Sequence, residues 1–224
     1  MEKIIYHGSK DLIKVPEFGK GNKNNDYGLG FYCTESKELA KEWAVSEGRD
    51  GYSNCYALDF SELKVLHLNR PKYHILNWLA LLLKHRTVEI QDGLPTEARD
   101  YLIATFLPDV KDCDVIIGYR ADDSYFSFAR AFLNNTISLA QLQKAMYLGE
   151  LGEQVVLISQ KAFSSIKFVE AEIAECDIYL PLKMGRDIAA RKAFQAERRK
   201  EKVIGATYML DILRGGWKNN DPRL

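Results

Sequence analysis

The sequence has no C-x-x-C pair and no apolar run long enough to cross a membrane. Its four cysteines, Cys33, Cys55, Cys113 and Cys176, lie far apart in 224 residues. That pattern reads as reduced thiols rather than a disulfide framework. The most apolar stretch, residues 75–83, is interrupted by Asn77 and closed by Lys84, His85 and Arg86. It falls well short of the ~20 residues of a membrane span. The first ten residues, MEKIIYHGSK, hold no long apolar region and no small-residue cleavage pattern, so no secretory leader is expected. A soluble, cytoplasmic protein without a membrane partner is the expectation.

Common chemical motifs are missing as well. Neither GKGNKN nor GLGFYC supplies the third glycine of a dinucleotide fingerprint, and neither sits between a strand and a regular helix start. There is no G-x-x-x-x-G-K-[ST] loop for nucleotide phosphates and no G-x-S-x-G elbow for a serine hydrolase. The histidines His7, His67, His74 and His85 have no metal-ligand spacing, so no metal is expected. Cys33 reads as a buried strand cysteine rather than a thiol nucleophile.

Net charge is absent too, since 31 Lys+Arg offset 31 Asp+Glu. The balance is uneven along the chain. Residues 185–224 carry ten basic and five acidic side chains, which leaves residues 1–184 acidic by the same margin. Hydrophobic residues at 46% and charged residues at 28% fit a folded globular chain of one ordinary domain.

Short apolar runs predict strands at residues 3–6, 30–34, 54–60, 63–68, 114–119, 153–159 and 167–170, the third and fourth joined by a tight turn. Helices are expected from Thr34, as possible N-cap, through KELAKEWA, and from Pro71 to about His85. Others are expected over residues 96–106, 125–132, 139–148 and 186–213, with a frayed end from Gly215. Strands cluster without regular βαβ alternation, which favours an α+β fold. The organisation expected is a body of residues 1–184 and a basic helical extension of the same domain at 185–224.

Three segments carry chemistry when read together. Tyr6-His7-Gly8-Ser9 closes the first strand with an imidazole and a glycine that lets backbone approach a ligand. Asp26-Tyr27-Gly28-Leu29-Gly30-Phe31-Tyr32-Cys33-Thr34 puts a glycine-flanked loop before a strand whose Phe31 and Tyr32 face opposite sides. Gly152-Glu153-Gln154 opens an apolar strand with polar groups at its start.

In YHGS, DYGLGFYCTE leading into KELAKEWA, and LGEQVVLIS, the chain resembles bacterial ADP-ribosyltransferase-like proteins of the histidine–tyrosine–glutamate type. Those are related to the poly-ADP-ribose polymerase catalytic domain and to diphtheria-type toxins. The resemblance spans roughly residues 3–170 and is closest to a subgroup found as toxins in toxin–antitoxin or phage-defence loci; GYRADDSYFSFARAFLNN matches it in style. It implies an ADP-ribosyltransferase fold, two packed and mainly antiparallel sheets flanked by helices, with a C-terminal helix here. It implies mono-ADP-ribosyl transfer from NAD, as substrate, to a macromolecular acceptor.

By the same resemblance His7, Gly8, Ser9, Tyr27, Tyr32 and Thr34 would contact NAD, with His7 on a ribose hydroxyl and Tyr32 stacked on nicotinamide. The third motif position is Gln154 by the subgroup's pattern or Glu153 by that of the wider superfamily. Neighbouring strand residues point to opposite faces, so only one of the two can enter the site. Glutamine cannot act as a base, so Asp122 and Asp123 stand as candidates beside their alternative as helix caps. Arg120 and Arg130 are candidates for diphosphate or for surface ion pairs.

The basic residues of the tail, Arg186 to Lys202, are either a solvated helix face or a guide for a nucleic-acid acceptor. RNA or DNA is thereby favoured as acceptor over protein. Phe194, Tyr208 and Ile212 are candidate contacts for an antitoxin partner. The rival to a transferase is a non-catalytic module binding NAD, ADP-ribose or a partner, and an NAD hydrolase is the nearer enzymatic variant.

Overall fold

A computed structural model describes residues 1–87, 90–120, 123–148, 151–200 and 204–224, with the side chains of 123–125 outside the description. In chain order the elements are β1 (Glu2–Ser9), β2 (Phe31–Cys33), α1 (Lys37–Ala44), β3 (Gly51–Asp59), β4 (Val65–His67), α2 (Ile75–His85), α3 (Leu94–Phe106) and β5 (Val115–Tyr119). They continue with α4 (Asp123–Leu133), α5 (Leu139–Ala145), β6 (Glu153–Leu157), α6 (Gln160–Ser164), β7 (Ile166–Ala174), α7 (Cys176–Arg198) and α8 (Met209–Arg214). The fold is α+β.

One sheet has the order β1-β3-β7 and the other β2-β6-β5-β4. All pairs are antiparallel except β4 with β5. Strand alternation then assigns every side chain a layer. Phe31, Cys33, Val115, Ile117, Val155 and Leu157 of the second sheet meet Ile5, Tyr56 and Leu58 of the first in a core between the sheets. Their neighbours Ile116 and Val156 face the other way, into a larger core built by α2, α3, α4, α5 and α8. α2 is buried almost all round, from Ile75 to Leu83, which explains an apolar run with no polar stripe.

Among the described residues the two sheets share one backbone bridge, antiparallel, from Tyr6 to Thr34. Both backbone bonds of that pair form, Tyr6 N to Thr34 O at 2.8 Å and the reverse at 2.9 Å. Beyond it β1 and β2 part.

Several expectations are corrected. Ser36, not Thr34, caps α1, accepting from Leu39 N at 3.3 Å; Thr34 is held in the bridge and accepts from Ser36 N. β3 and β4 are not a hairpin, because they lie in different sheets. Pro71 precedes α2, whose N-cap is His74, with Asn77 returning to the His74 N–H. The expected helix of 186–213 is two, α7 and α8, and α7 starts ten residues earlier, running across position 185 without a break. Gly215 onward is not frayed. Trp217 is buried, Tyr101 Oη donates to its carbonyl, and Asn77 Nδ2 donates to Asn219 Oδ1.

Candidate functional site

Between the face of the second sheet that carries Tyr32 and the helix α7 lies a cleft of about 570 Å³, within the range of small-molecule sites, roughly 300–1,000 Å³. Tyr32 and Gln154 line it, together with Asn25, Asp26, Trp43, Arg86 and Arg120. Register explains why two distant segments meet. Tyr32 pairs with Val156 across β2 and β6, and Gln154, two residues before Val156, points to the same face. Glu153 points to the other. It pairs with His67 Nε2 at 3.1 Å and accepts from Asn69 Nδ2, so it does not share the cleft with Tyr32.

Gln154 is only 5% exposed. Its Nε2 donates to Asp26 Oδ2 at 3.3 Å, and the carboxylate fixes the amide orientation, since the flipped form would set oxygen against oxygen. The remaining atom, Oε1, is buried without a protein partner. A buried carbonyl left bare costs free energy unless a ligand or water donates to it.

The Tyr32 ring is held by its hydroxyl, which donates to Gly28 O at 2.6 Å and accepts from Tyr27 N at 3.1 Å. Burial pushes its pKa far above the ordinary tyrosine value, so the phenol stays neutral. The loop that it grips is pinned on its far side. Arg86 Nη1 donates to Asn24 O at 3.1 Å, and Arg86 Nε stands 3.8 Å from Asp26 Oδ1. Gly28 has φ of +79°, and a Cβ there would stand 2.6 Å from His85 Nδ1. Only glycine serves on both counts. Tyr27 does not face the cleft; it is a core residue whose hydroxyl donates to Tyr119 O.

His7 lies on the inter-sheet face, its ring stacked on Phe31 with centroids 4.2 Å apart. Its Nδ1 is 2.7 Å from Tyr32 O. A carbonyl only accepts, so Nδ1 carries the proton. Burial lowers the His7 pKa, and the neutral ring therefore presents Nε2 as a bare acceptor. Ser9 Oγ is committed to a turn, donating to Asp11 O and accepting from Asp11 N, both at 3.0 Å.

Gly8 serves two purposes. A Cβ there would lie 2.0 Å from Ala40 O, so glycine lets α1 settle directly on β1 and brings Trp43 to the cleft wall. Ladder parity also turns the Gly8 N–H and C=O away from β3, to the edge where Tyr6 meets Thr34. Extending that bridge register would set Gly8 opposite Tyr32.

Cations outnumber anions around the cleft. Arg86, Arg120, Lys183 and Arg191 line it against Asp26 and Asp187. The Arg120 guanidinium sits 3.5 Å above the Trp43 ring, a desolvated cation–π geometry. Arg130 lies elsewhere, in a depression with Asn134 and Arg198. Asp122 and the side chain of Asp123 lie outside the described residues. Among the described residues no cluster of His, Cys, Asp and Glu could hold a metal ion, and no helix is long and apolar enough to cross a membrane.

α7 roofs the cleft through Leu180, Lys183, Met184, Asp187, Ile188 and Arg191. The helix read from the sequence began at 186, ten residues after α7 does, which left Leu180, Lys183 and Met184 of this roof outside it. Arg186 is bonded to buried Glu42 of α1 by Nε at 3.0 Å and Nη2 at 2.8 Å, and Arg191 pairs with Asp187. Lys202 lies outside the described residues. Of the candidate antitoxin contacts, Phe194 is buried with its ring 3.9 Å from that of Phe128, Ile212 is fully buried, and Tyr208 stands half-buried at the N-cap of α8.

Residues 3–168 match the family described as a protein of unknown function, DUF3990. No curated protein and no solved structure matches the chain.

Proposed function

The chain belongs to the DUF3990 family, and we propose that it is a mono-ADP-ribosyltransferase, taking NAD as substrate and modifying a macromolecular acceptor. The observation that carries this reading is the convergence of Tyr32 and Gln154 on one face of the sheet, where both line the cleft. The motif resemblance names Tyr32, and Gln154 beside Glu153 for its third position, and the ADP-ribosyltransferase fold is part of the proposal.

The chemistry of the site suits that substrate. Two aromatic rings, Tyr32 and Trp43, wall the cleft and can flank a planar pyridinium. The lining arginines and Lys183 suit a diphosphate. Gln154 Oε1 is an acceptor fitted to a ribose hydroxyl. Breaking the nicotinamide–ribose bond builds positive charge on the sugar, so the reaction needs a fixed ribose and a stabilising dipole or charge nearby. A bacterial toxin role is the setting that the resemblance suggests. Nucleic acid remains the favoured acceptor class, met near α7, where Lys183 and Arg191 border the cleft.

Gln154 itself favours a second reading, a module that binds NAD or ADP-ribose without chemistry, because an amide cannot serve as base. Titration calorimetry with NAD, paired with a nicotinamide-release assay in host lysate, separates the two. A transferase binds and releases, a module binds only, and a protein that does neither contradicts both.

A further inference from the structure

A glutamine in the cleft leaves the reaction without the negative charge that a glutamate there would supply. A carboxylate nevertheless stands beside it. Asp26 Oδ2 is 3.3 Å from Gln154 Nε2, and Asp26 is itself 5% exposed and lines the cleft. Resting on the transferase reading, we infer that Asp26 supplies the anionic group facing the reacting ribose, and that Gln154 positions it.

Burying a carboxylate is costly unless it is paired and hydrogen-bonded. The chain meets that cost in a loop, residues 19–30, rich in glycine and asparagine. Arg86 is one partner, yet its Nε lies 3.8 Å from Asp26 Oδ1. Arg86 is also held independently, by Asn24 O and by the Phe126 ring 4.5 Å away. The loop is clamped on both sides of Asp26, by Arg86 on Asn24 and by the Tyr32 hydroxyl on Tyr27 and Gly28. A charge fixed before the substrate arrives needs no reorganisation in the transition state.

The step balances. The bond between the pyridinium nitrogen of NAD and the ribose carbon breaks, and its electron pair passes to the nitrogen, releasing neutral nicotinamide. Positive charge moves to the ribose carbon and ring oxygen, where the Asp26 carboxylate opposes it. An O–H or N–H group of the acceptor, or water, forms the new bond with a lone pair and loses its proton to solvent. NAD⁺ and acceptor thus give ADP-ribosyl acceptor, nicotinamide and one proton.

The test compares wild type, Asp26→Asn, and the double variant Asp26→Asn/Gln154→Glu, which moves the charge across the hydrogen bond. NAD affinity is measured by calorimetry, and nicotinamide release is measured at saturating NAD in host lysate. Asp26→Asn should slow release by roughly 100-fold or more and change the NAD Kd by less than about threefold. The double variant should recover at least about tenfold of that loss, which a merely structural role would not produce. Release by Asp26→Asn within about threefold of wild type would overturn the assignment, as would a loss that the double variant does not recover. If Asp26→Asn does not fold, Gln154→Glu alone decides. Two carboxylates in contact split their pKa values, so release should acquire a new pH dependence, and an unaltered profile overturns the inference. A wild type that binds no NAD and releases no nicotinamide overturns the transferase reading instead, and this assignment with it.

Discussion

The Nδ1 of His7 lies 2.7 Å from the carbonyl oxygen of Tyr32, so the first motif residue helps to hold the backbone of the second. Burial lowers the pKa of His7, and it lowers those of His74 and His85 too. Below the ordinary histidine value of about 6.5 the unfolded chain binds protons that the folded chain refuses. Stability is therefore fully present above that pH and falls as pH drops towards the folded values. Denaturant melts across this window should show the decline. His7→Asn, which keeps a donor near Nδ1, should make it shallower. A slope identical to wild type would contradict a buried neutral His7.

Gly8→Ala places a methyl group 2.0 Å from Ala40 O. The overpacking should cost about 1–3 kcal/mol, or very roughly 2–10 °C in Tm for a chain of this size. Because Trp43 rides on α1, NAD affinity should fall with it. Gly185→Ala is the control, with nothing within 4 Å of the new Cβ, and should be neutral or slightly stabilising. Thermal melts of both variants decide.

Tyr32 combines a ring in the cleft with a hydroxyl gripping the loop. Tyr32→Phe removes only the grip on Gly28 and Tyr27, two hydrogen bonds, so the loop should loosen and NAD binding should weaken by roughly tenfold. Tyr32→Ala removes the wall as well and should abolish measurable binding. Equal affinity in both variants would show that the ring contributes nothing.

Arg186 neutralises Glu42, whose side chain is 5% exposed. Arg186→Ala leaves a buried carboxylate short of its main cation and should destabilise the protein by about 2–4 kcal/mol. The pair also ties α7 to α1, so proteolysis within α7 should accelerate. Arg186→Ala/Glu42→Gln should restore much of the stability. A single variant that melts like wild type would show that α7 is held by Phe194 and its neighbours alone.

Much of the fold was legible because strand alternation and apolar runs carry it. β5, β6 and α3 match their sequence-read limits at one end and lie within two residues of them at the other, as with Leu94–Phe106 for α3. The strand partners were not legible. VLH of β4 reads as the second arm of a hairpin, yet it pairs in parallel with β5 fifty residues on, a contact no local pattern encodes. The site was legible where a motif and the two-residue strand period coincide, as at Tyr32 and Gln154. Asp26 was hidden because a loop carboxylate looks like any turn residue until register brings Gln154 beside it. Trp43 looked like helix core, and the roof over the cleft needed the start of α7 at Cys176.

The most direct test incubates the purified protein with NAD labelled in the ADP-ribose moiety and with separated RNA, DNA and protein fractions of a host lysate. The account predicts label transferred covalently to one fraction, nucleic acid before protein, by wild type and not by Tyr32→Ala or Gln154→Ala. NAD bound without label in any fraction, on the protein itself or in free ADP-ribose would contradict it.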